Sequence, residues 1–464
     1  VQVAIVRPGP IEGDMVHPYL RRRSGIEPVE YPSPAPPHDP DELKNLLGQT
    51  YGVPLFQEQA MKLAIVAADF TPSEANQLRR AMATFRNVGT MHNFRTKLVE
   101  GMTARGYAAE FAERCFKQIE GFGSYGFPES HALSFARLVY VSSWIKCHHP
   151  AVFACALLNS QPMGFYAPAQ IVRDVREHQV EVRPIDINAS HWDNRLERDL
   201  RGRLALRLGF RQMDGFRQAW AEALVQARRE GGRFVSIERL ARRADLPSAA
   251  LRLLADADAF GSLGLSRRQA LWEVRRTPST ELPLFAAAKA RELGTEPDMQ
   301  LPQMPAAEEV VTDYQVLRLS LKDHPMAFLR ARLREEGVLS CEDTTNAKAG
   351  AAVRTAGVVL VRQRPGKGNA IFVTIEDETG ITNVVLWARL FERYRRAVMA
   401  SRLMQVEGVL QRSPEGVVHL MANRVIDRTD LLATLTERRE DGALTPPLAR
   451  ADEVVRPVPS RHPR

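Results

Sequence analysis

Two adjacent arginines, Arg79 and Arg80, stand in the run Leu78-Arg79-Arg80-Ala81-Met82. Neighbouring side chains on a helix point in different directions, so one guanidinium can reach a ligand while the other braces it or takes a second phosphate. A second candidate is the glycine-punctuated loop Gly123-Ser124-Tyr125-Gly126-Phe127-Pro128-Glu129-Ser130-His131, which feeds a helix start. Free N–H groups and the positive end of the helix dipole favour an anion there. A third is basic: Arg362, Arg364 and Lys367 are carried by the turn around Pro365-Gly366-Lys367-Gly368. Taken singly these are weak signals, since an Arg-Arg pair is usually a surface feature and a capped helix usually only a capped helix.

Other groupings argue against chemistry of their own. Cys147-His148-His149 with Cys155 invites a zinc assignment, but Pro150 breaks the helix and no second ligand pair of normal spacing follows. Asp256-Ala257-Asp258 has the spacing of a metal-binding carboxylate pair, yet it falls in a compact helical stretch where such groups face water. The four cysteines are scattered, which fits a reducing cytoplasm rather than a disulfide framework.

Composition bounds the setting. The 464 residues have 44% hydrophobic and 25% charged side chains, enough for several cores and unlike a disordered chain. A formal net charge of +8, carried mostly by arginine, makes nucleic acid the leading partner. The runs Arg21-Arg22-Arg23 and Arg395-Arg396 are read first as solvated faces. No window approaches the ~20 apolar residues of a membrane span. The opening Val1-Gln2-Val3-Ala4-Ile5-Val6 has no basic leader and reads as a strand inside a larger protein.

The elements that must position these residues follow from periodicity. Residues up to about Asp186 read as helical. Pro72 and Ser73 open the Arg79-Arg80 helix, and Ser130 caps one from His131 to about Lys146, whose Phe135, Leu138, Val139 and Ile145 make a stripe expected to be buried. Pro150 starts a short helix. From Trp192 to about Val274 come a strand at Leu204–Leu208 and compact helices, then a Pro/Ala/Glu-rich linker over 277–308 and a helix around Pro325–Glu336. Alternation next predicts strands at Arg354–Val361, Ile371–Glu376 and Ile381–Trp387, a helix at Leu390–Ala400, and strands at Leu403–Leu410 and Val417–Val425. Three strands, a helix and two strands is the order of an OB-fold barrel, whose first loop commonly tracks a single strand's phosphates. Phe372 and Trp387 could stack on bases, although one core aromatic per barrel is the commoner use. The expected architecture is multi-domain: mainly α over 1–190, a helix-hairpin-helix-like segment at 191–276, a linker and helix at 277–345, an all-β OB-fold at 346–430, and a Pro-rich, charged tail at 431–464.

In their order, the motifs are specific. Arg7-Pro8-Gly9-Pro10, Tyr51-Gly52 with Gln57-Glu58-Gln59, Leu78 to Met82, Tyr125-Gly126-Phe127 with Ser130-His131, and Trp144-Ile145-Lys146 with His149-Pro150 together resemble the C-family DNA polymerases, the bacterial polymerase III alpha-subunit class. The resemblance runs on through Pro184-Ile185-Asp186-Ile187-Asn188 to the barrel. Phe127 to Ala136 and Ala83-Thr84-Phe85-Arg86-Asn87 look closer to the error-prone branch, which serves damage-induced mutagenesis and translesion synthesis, than to the replicative one.

That resemblance implies roles. Arg79 and Arg80 would bind the incoming triphosphate, and Phe127 and His131 would sit by its sugar, where bulk excludes a ribose 2′-hydroxyl. Residues 200–275 would grip duplex DNA, though Met213-Asp214-Gly215-Phe216 lacks the usual Gly-x-Gly hairpin. Glu281-Leu282-Pro283-Leu284-Phe285 is similar to a sliding-clamp peptide, with Glu where Gln is usual. The partners implied are primer-template DNA, deoxynucleoside triphosphates, a sliding clamp and damage-response proteins. Mg²⁺ would be held by aspartates upstream of Val1, leaving no metal ligand or catalytic residue in the chain. The competing readings are a replicative alpha subunit and a non-catalytic single-strand DNA-binding adaptor.

Overall fold

A computed structural model describes residues 16–83, 88–120, 128–162, 167–277, 301–364, 369–414 and 416–436. The chain divides into two compact units, Val1–Trp144 and Ile145–Arg464. Phe127, Lys367, the Glu281–Phe285 peptide, the tail beyond 436 and the Arg7-Pro8-Gly9-Pro10 motif lie outside the described residues.

The first unit is helical: α1 (Val16–Arg23), α2 (Glu42–Leu47), α3 (Gln57–Ala68), α4 (Pro72–Ala83), α5 (Val88–Ala104), α6 (Ala109–Glu120) and most of α7 (Glu129–His148). Its core gathers Leu43, Leu55, Leu63, Leu78, Leu98 and Phe116. The start of α3 shows why this sequence turns there. Gln59 Oε1 accepts from the N–H groups of Leu55 (3.0 Å) and Phe56 (3.1 Å), while its Nε2 donates to Thr50 Oγ at 3.0 Å. One buried amide thus satisfies donors left over by the helix end.

Helix α7 differs from expectation twice. It begins at Glu129, so Ser130 lies within it rather than capping it. It also contains no buried residue: Leu133 is 73% exposed, Leu138 62% and Tyr140 72%. The apolar periodicity is present, but burial needs an opposing surface, and Phe135, Leu138 and Val139 are left exposed among the described residues while Ile145 is half-buried.

In the second unit α8 (Pro150–Asn159) and α9 (Pro168–Glu177) share one core with the segment that follows, from Ala154 and Leu158 to Phe260 and Leu319. A three-stranded sheet lies within it: β1 (Val182–Arg183) pairs parallel with β3 (Leu204–Arg207), and β2 (Arg195–Arg198) pairs antiparallel with the same strand. Helices α10 (Gln218–Gly231), α11 (Ile237–Ala244), α12 (Ser248–Asp256) and α13 (Arg267–Arg276) follow. The predicted linker is shorter than its composition suggested, because Ala306–Leu317 forms α14 and buries Val310, Val311 and Tyr314. The Glu308-Glu309 start of that helix disguises it as linker. The expected Pro325–Glu336 helix is a 3₁₀ turn, Pro325–Leu329, running into α15 (Arg330–Glu335).

His324 opens that turn, its Nδ1 accepting from Met326 N at 3.2 Å, which requires a neutral ring. Burial foremost, with Arg173 and Arg330 nearby, pushes its pKa down from 6.5 to about 4, against the opposing pull of Asp377 and Asp323. The unfolded chain therefore takes up a proton as pH falls below about 6.5, and the folded chain resists until about 4. Stability fully present above that window is lost progressively across it. The melting temperature of the wild type should fall more steeply between those limits than that of a His324→Asn variant; parallel pH profiles would contradict this.

After α16 (Cys341–Asn346) the chain forms a closed barrel of β4 (Ala352–Gln363), β5 (Ala370–Glu376), β6 (Ile381–Trp387), β7 (Leu403–Arg412) and β8 (Val418–Asp427), in the order β4-β5-β6-β8-β7, with α17 (Ala388–Ala400) between β6 and β7. A short helix, α18 (Asp430–Ala433), closes the described chain. Strand β4 pairs with β7 through Ala352–Val358 and with β5 from Val358 onward. Gly357 sits at that changeover, where an added Cβ would lie 2.6 Å from the Glu376 carbonyl oxygen. The five strands and the helix fall within a few residues of the periodicity reading. Buried Asp377 builds the Glu378-Thr379-Gly380 turn, accepting from the N–H groups of Thr379 (2.8 Å) and Gly380 (3.0 Å).

Candidate nucleotide and nucleic-acid interface

Helix α4 presents the arginine pair. Thr71 precedes it, exchanging bonds with Glu74: Thr71 N donates to Glu74 Oε2 at 2.9 Å, and Glu74 N donates to Thr71 Oγ at 3.3 Å. Bonding from Lys97 first, then from Thr71, holds the Glu74 carboxyl down at about 2, so this start is charged at neutral pH. Ala75 and Leu78 are fully buried, which fixes the roll of the helix. Arg79 is then half-buried, its Nε donating to Asn76 Oδ1 at 3.0 Å, while Arg80 is exposed. The two guanidiniums leave the helix on neighbouring faces, as adjacent helical positions require.

The Gln57-Glu58-Gln59 motif meets the Ser130-His131 motif in space. Glu58 Oε2 accepts from Glu129 N at 2.8 Å, at the first turn of α7. The anion expected at this helix start is therefore supplied by the chain itself. His131 is exposed and stands edge-on to Phe135, with ring centroids 4.5 Å apart.

At the barrel, Arg362 departs from expectation. It lies in β4 rather than in the turn, and its guanidinium donates to the carbonyls of Val398 and Ser401 at the end of α17. Cations favour helix C-termini, so Arg362 anchors α17, while Arg364, just past the end of β4, is exposed. The aromatics are displayed rather than used as core: Phe372 is 38% exposed and Trp387 56%. Phe372 pairs with Val385 across β5 and β6, and Trp387 is two positions further on, so both rings belong to one outer face at diagonal positions.

The Asp186-Ile187-Asn188 motif is structural. Asp186 accepts from Asn188 N (2.8 Å) and Ser262 N (2.9 Å), and Asn188 bridges to Phe234 and to Ser262 Oγ. Spacing alone did not reveal this knot, because its partners lie 46 to 76 residues away. Asp258 is ion-paired to Lys322 at 2.8 Å and Asp256 to Arg252 at 3.7 Å. Among the described residues no group of three or more His, Cys, Asp or Glu could hold a metal ion.

The comparisons follow this layout. Residues 1–106 match the bacterial DNA polymerase III alpha subunit finger domain, 179–270 a helix-hairpin-helix motif, and 353–427 an OB-fold nucleic acid binding domain. An error-prone DNA polymerase of Brucella abortus is 58% identical over 464 residues, covering 99% of this chain and 43% of that protein. The chain is a homologue of the error-prone DNA polymerases. Relatives of the same description occur in Rhodopseudomonas palustris, 58% identical over 480 residues, and Bradyrhizobium diazoefficiens, 52% over 529. The chain spans about two-fifths of the length of these curated error-prone polymerases. Within that frame Arg79 and Arg80 fall in the finger match, the Asp186–Asn188 knot in the hairpin match, and Phe372 and Trp387 in the OB-fold match. No described helix is long and apolar enough to cross a membrane.

Proposed function

We propose that this chain is the nucleotide- and DNA-holding region of an error-prone DNA-directed DNA polymerase acting in damage-induced mutagenesis and translesion synthesis in the cytoplasm. The observation that carries the reading is the succession of fingers, helix-hairpin-helix and OB-fold matches along one chain whose barrel displays its aromatics. Arg79 and Arg80 hold the triphosphate of the incoming nucleotide, neutralising charge that builds on the leaving pyrophosphate. Phe127 and His131 border its sugar. Arg364 and Lys367 follow a single strand's phosphates, backed by Arg362, and Phe372 and Trp387 stack on its bases. Glu281–Phe285 engages a sliding clamp, and further damage-response proteins complete the assembly. Magnesium belongs to carboxylates outside this chain.

The OB-fold part is tested with a fluorescent single-stranded oligonucleotide. Base stacking is worth about 1–3 kcal/mol per base. Phe372→Ala and Trp387→Ala should therefore each weaken binding by roughly 5- to 150-fold without moving the melting temperature. Wild-type affinity in both variants would refute the stacking surface.

A further inference from the structure

The helix-hairpin-helix region contains an open cleft of about 540 Å³ between the loop His191–Arg195 and one face of α10, where Gln218, Glu222, Gln226 and Arg229 line it. Arg195 and Arg229 line it, and Arg228 stands against His191. Arg195, Arg228 and Arg229 all press on His191, whose pKa falls to about 4, first through burial and then through these three charges. Arg228 is fixed, Nη1 donating to the Ile187 carbonyl at 2.7 Å and Nη2 facing His191 Nε2 at 3.3 Å. Burial foremost, with Arg229 and Arg195, lowers its own pKa against the opposing pull of Asp186. Arg195 and Arg229 are exposed.

Two of the nearby carboxylates are paired with other arginines. Glu197 pairs with Arg183 at 2.6 Å and Arg207 at 3.0 Å, and Asp193 pairs with Arg211 at 2.8 Å. The Glu222 carboxylate also lines the cleft and accepts from the neutral Gln218 amide at 2.8 Å. No ion pair among the described residues involves Arg195, Arg228 or Arg229. Two exposed guanidiniums on a concave surface with no ion-pair partner can take up phosphate oxygens without breaking an existing pair. The hairpin at Met213–Phe216 carries no arginine or lysine of its own, and its Asp214 pairs with Arg318 at 3.0 Å.

We propose that this cleft, rather than the Met213–Phe216 hairpin, binds consecutive backbone phosphates of duplex DNA, with Arg195 and Arg229 touching the phosphates and Arg228 positioned behind them. The inference rests on the DNA-holding reading of this region. Guanidinium forks suit phosphate, and Asp186, Asn188 and His191 hold the surrounding loop in place.

The test uses the full 464-residue chain and fluorescent primer-template duplex, with affinity followed across a salt series. Each phosphate neutralised contributes about 0.9 to the slope of log affinity against log salt. Arg195→Ala/Arg229→Ala should lower that slope by roughly 1.8. Arg195→Lys/Arg229→Lys should restore it. Arg201→Ala/Lys348→Ala, which removes two exposed charges elsewhere, should leave it in place. An unchanged slope in the first variant, or an equal drop in the control, overturns the site while the DNA-holding reading stands. A wild-type chain that does not bind duplex at all overturns both.

Discussion

Replacing Asp313 with alanine should cost about 3–5 kcal/mol of stability, a large part of the ~5–15 kcal/mol that holds a domain together. Arg267, the first residue of α13, is fully enclosed, and its partner Asp313 on α14 is 5% exposed. The guanidinium pairs with the Asp313 carboxylate through Nη2 and donates through Nη1 to the Glu309 carbonyl at 2.8 Å. Ser320 Oγ donates to the other carboxylate oxygen at 2.7 Å. The pair therefore fastens the last helix of the hairpin region to the helix beyond residues 278–300. Removing only the carboxylate leaves a buried cation with no counter-charge, and the desolvation penalty is then uncompensated. Removing both charges is a different matter. Arg267→Met/Asp313→Leu keeps the volume apolar and should recover most of the loss. Urea unfolding followed by circular dichroism checks both. A single variant as stable as wild type, or a double variant worse than the single, would contradict this account of the pair.

How much of this was legible in the sequence depends on the range of the interactions. The barrel could be read because strand alternation and turn residues such as Glu378-Thr379-Gly380 are local, and β4 to β8 fall close to where the pattern puts them. Helix α14 was lost because its acidic, alanine-rich start has linker composition, while the stripe Val310, Val311, Tyr314 is short. The α7 stripe was seen, but periodicity states which face is apolar, not whether anything covers it. For the candidate sites, residue types were visible and partners were not. Arg362 looks like a phosphate contact until its place at the end of α17 is known, and Glu58 gives no sign of reaching Glu129. The Arg228-Arg229 pair is plain in the sequence, whereas its convergence with Arg195 is a tertiary fact.

The arginine pair on α4 carries the largest functional expectation. Phosphoryl transfer is accelerated mainly by positioning and by charge aimed at the phosphates, and losing one such donor commonly costs about 10²–10³ in rate. Arg79 is preset by its bond to Asn76, so lysine, a flexible point charge, should replace it poorly; exposed Arg80 should tolerate lysine better. Neither belongs to the DNA-gripping modules, so primer-template affinity should not change. The measurement that tests the central claim most directly is single-turnover incorporation of one nucleotide by the full-length polymerase carrying Arg79→Ala or Arg80→Ala. We expect the ratio of maximal rate to nucleotide dissociation constant to fall by about 10²–10³ at unchanged DNA affinity. Wild-type incorporation by both variants would contradict the assignment of this region as the nucleotide-holding fingers.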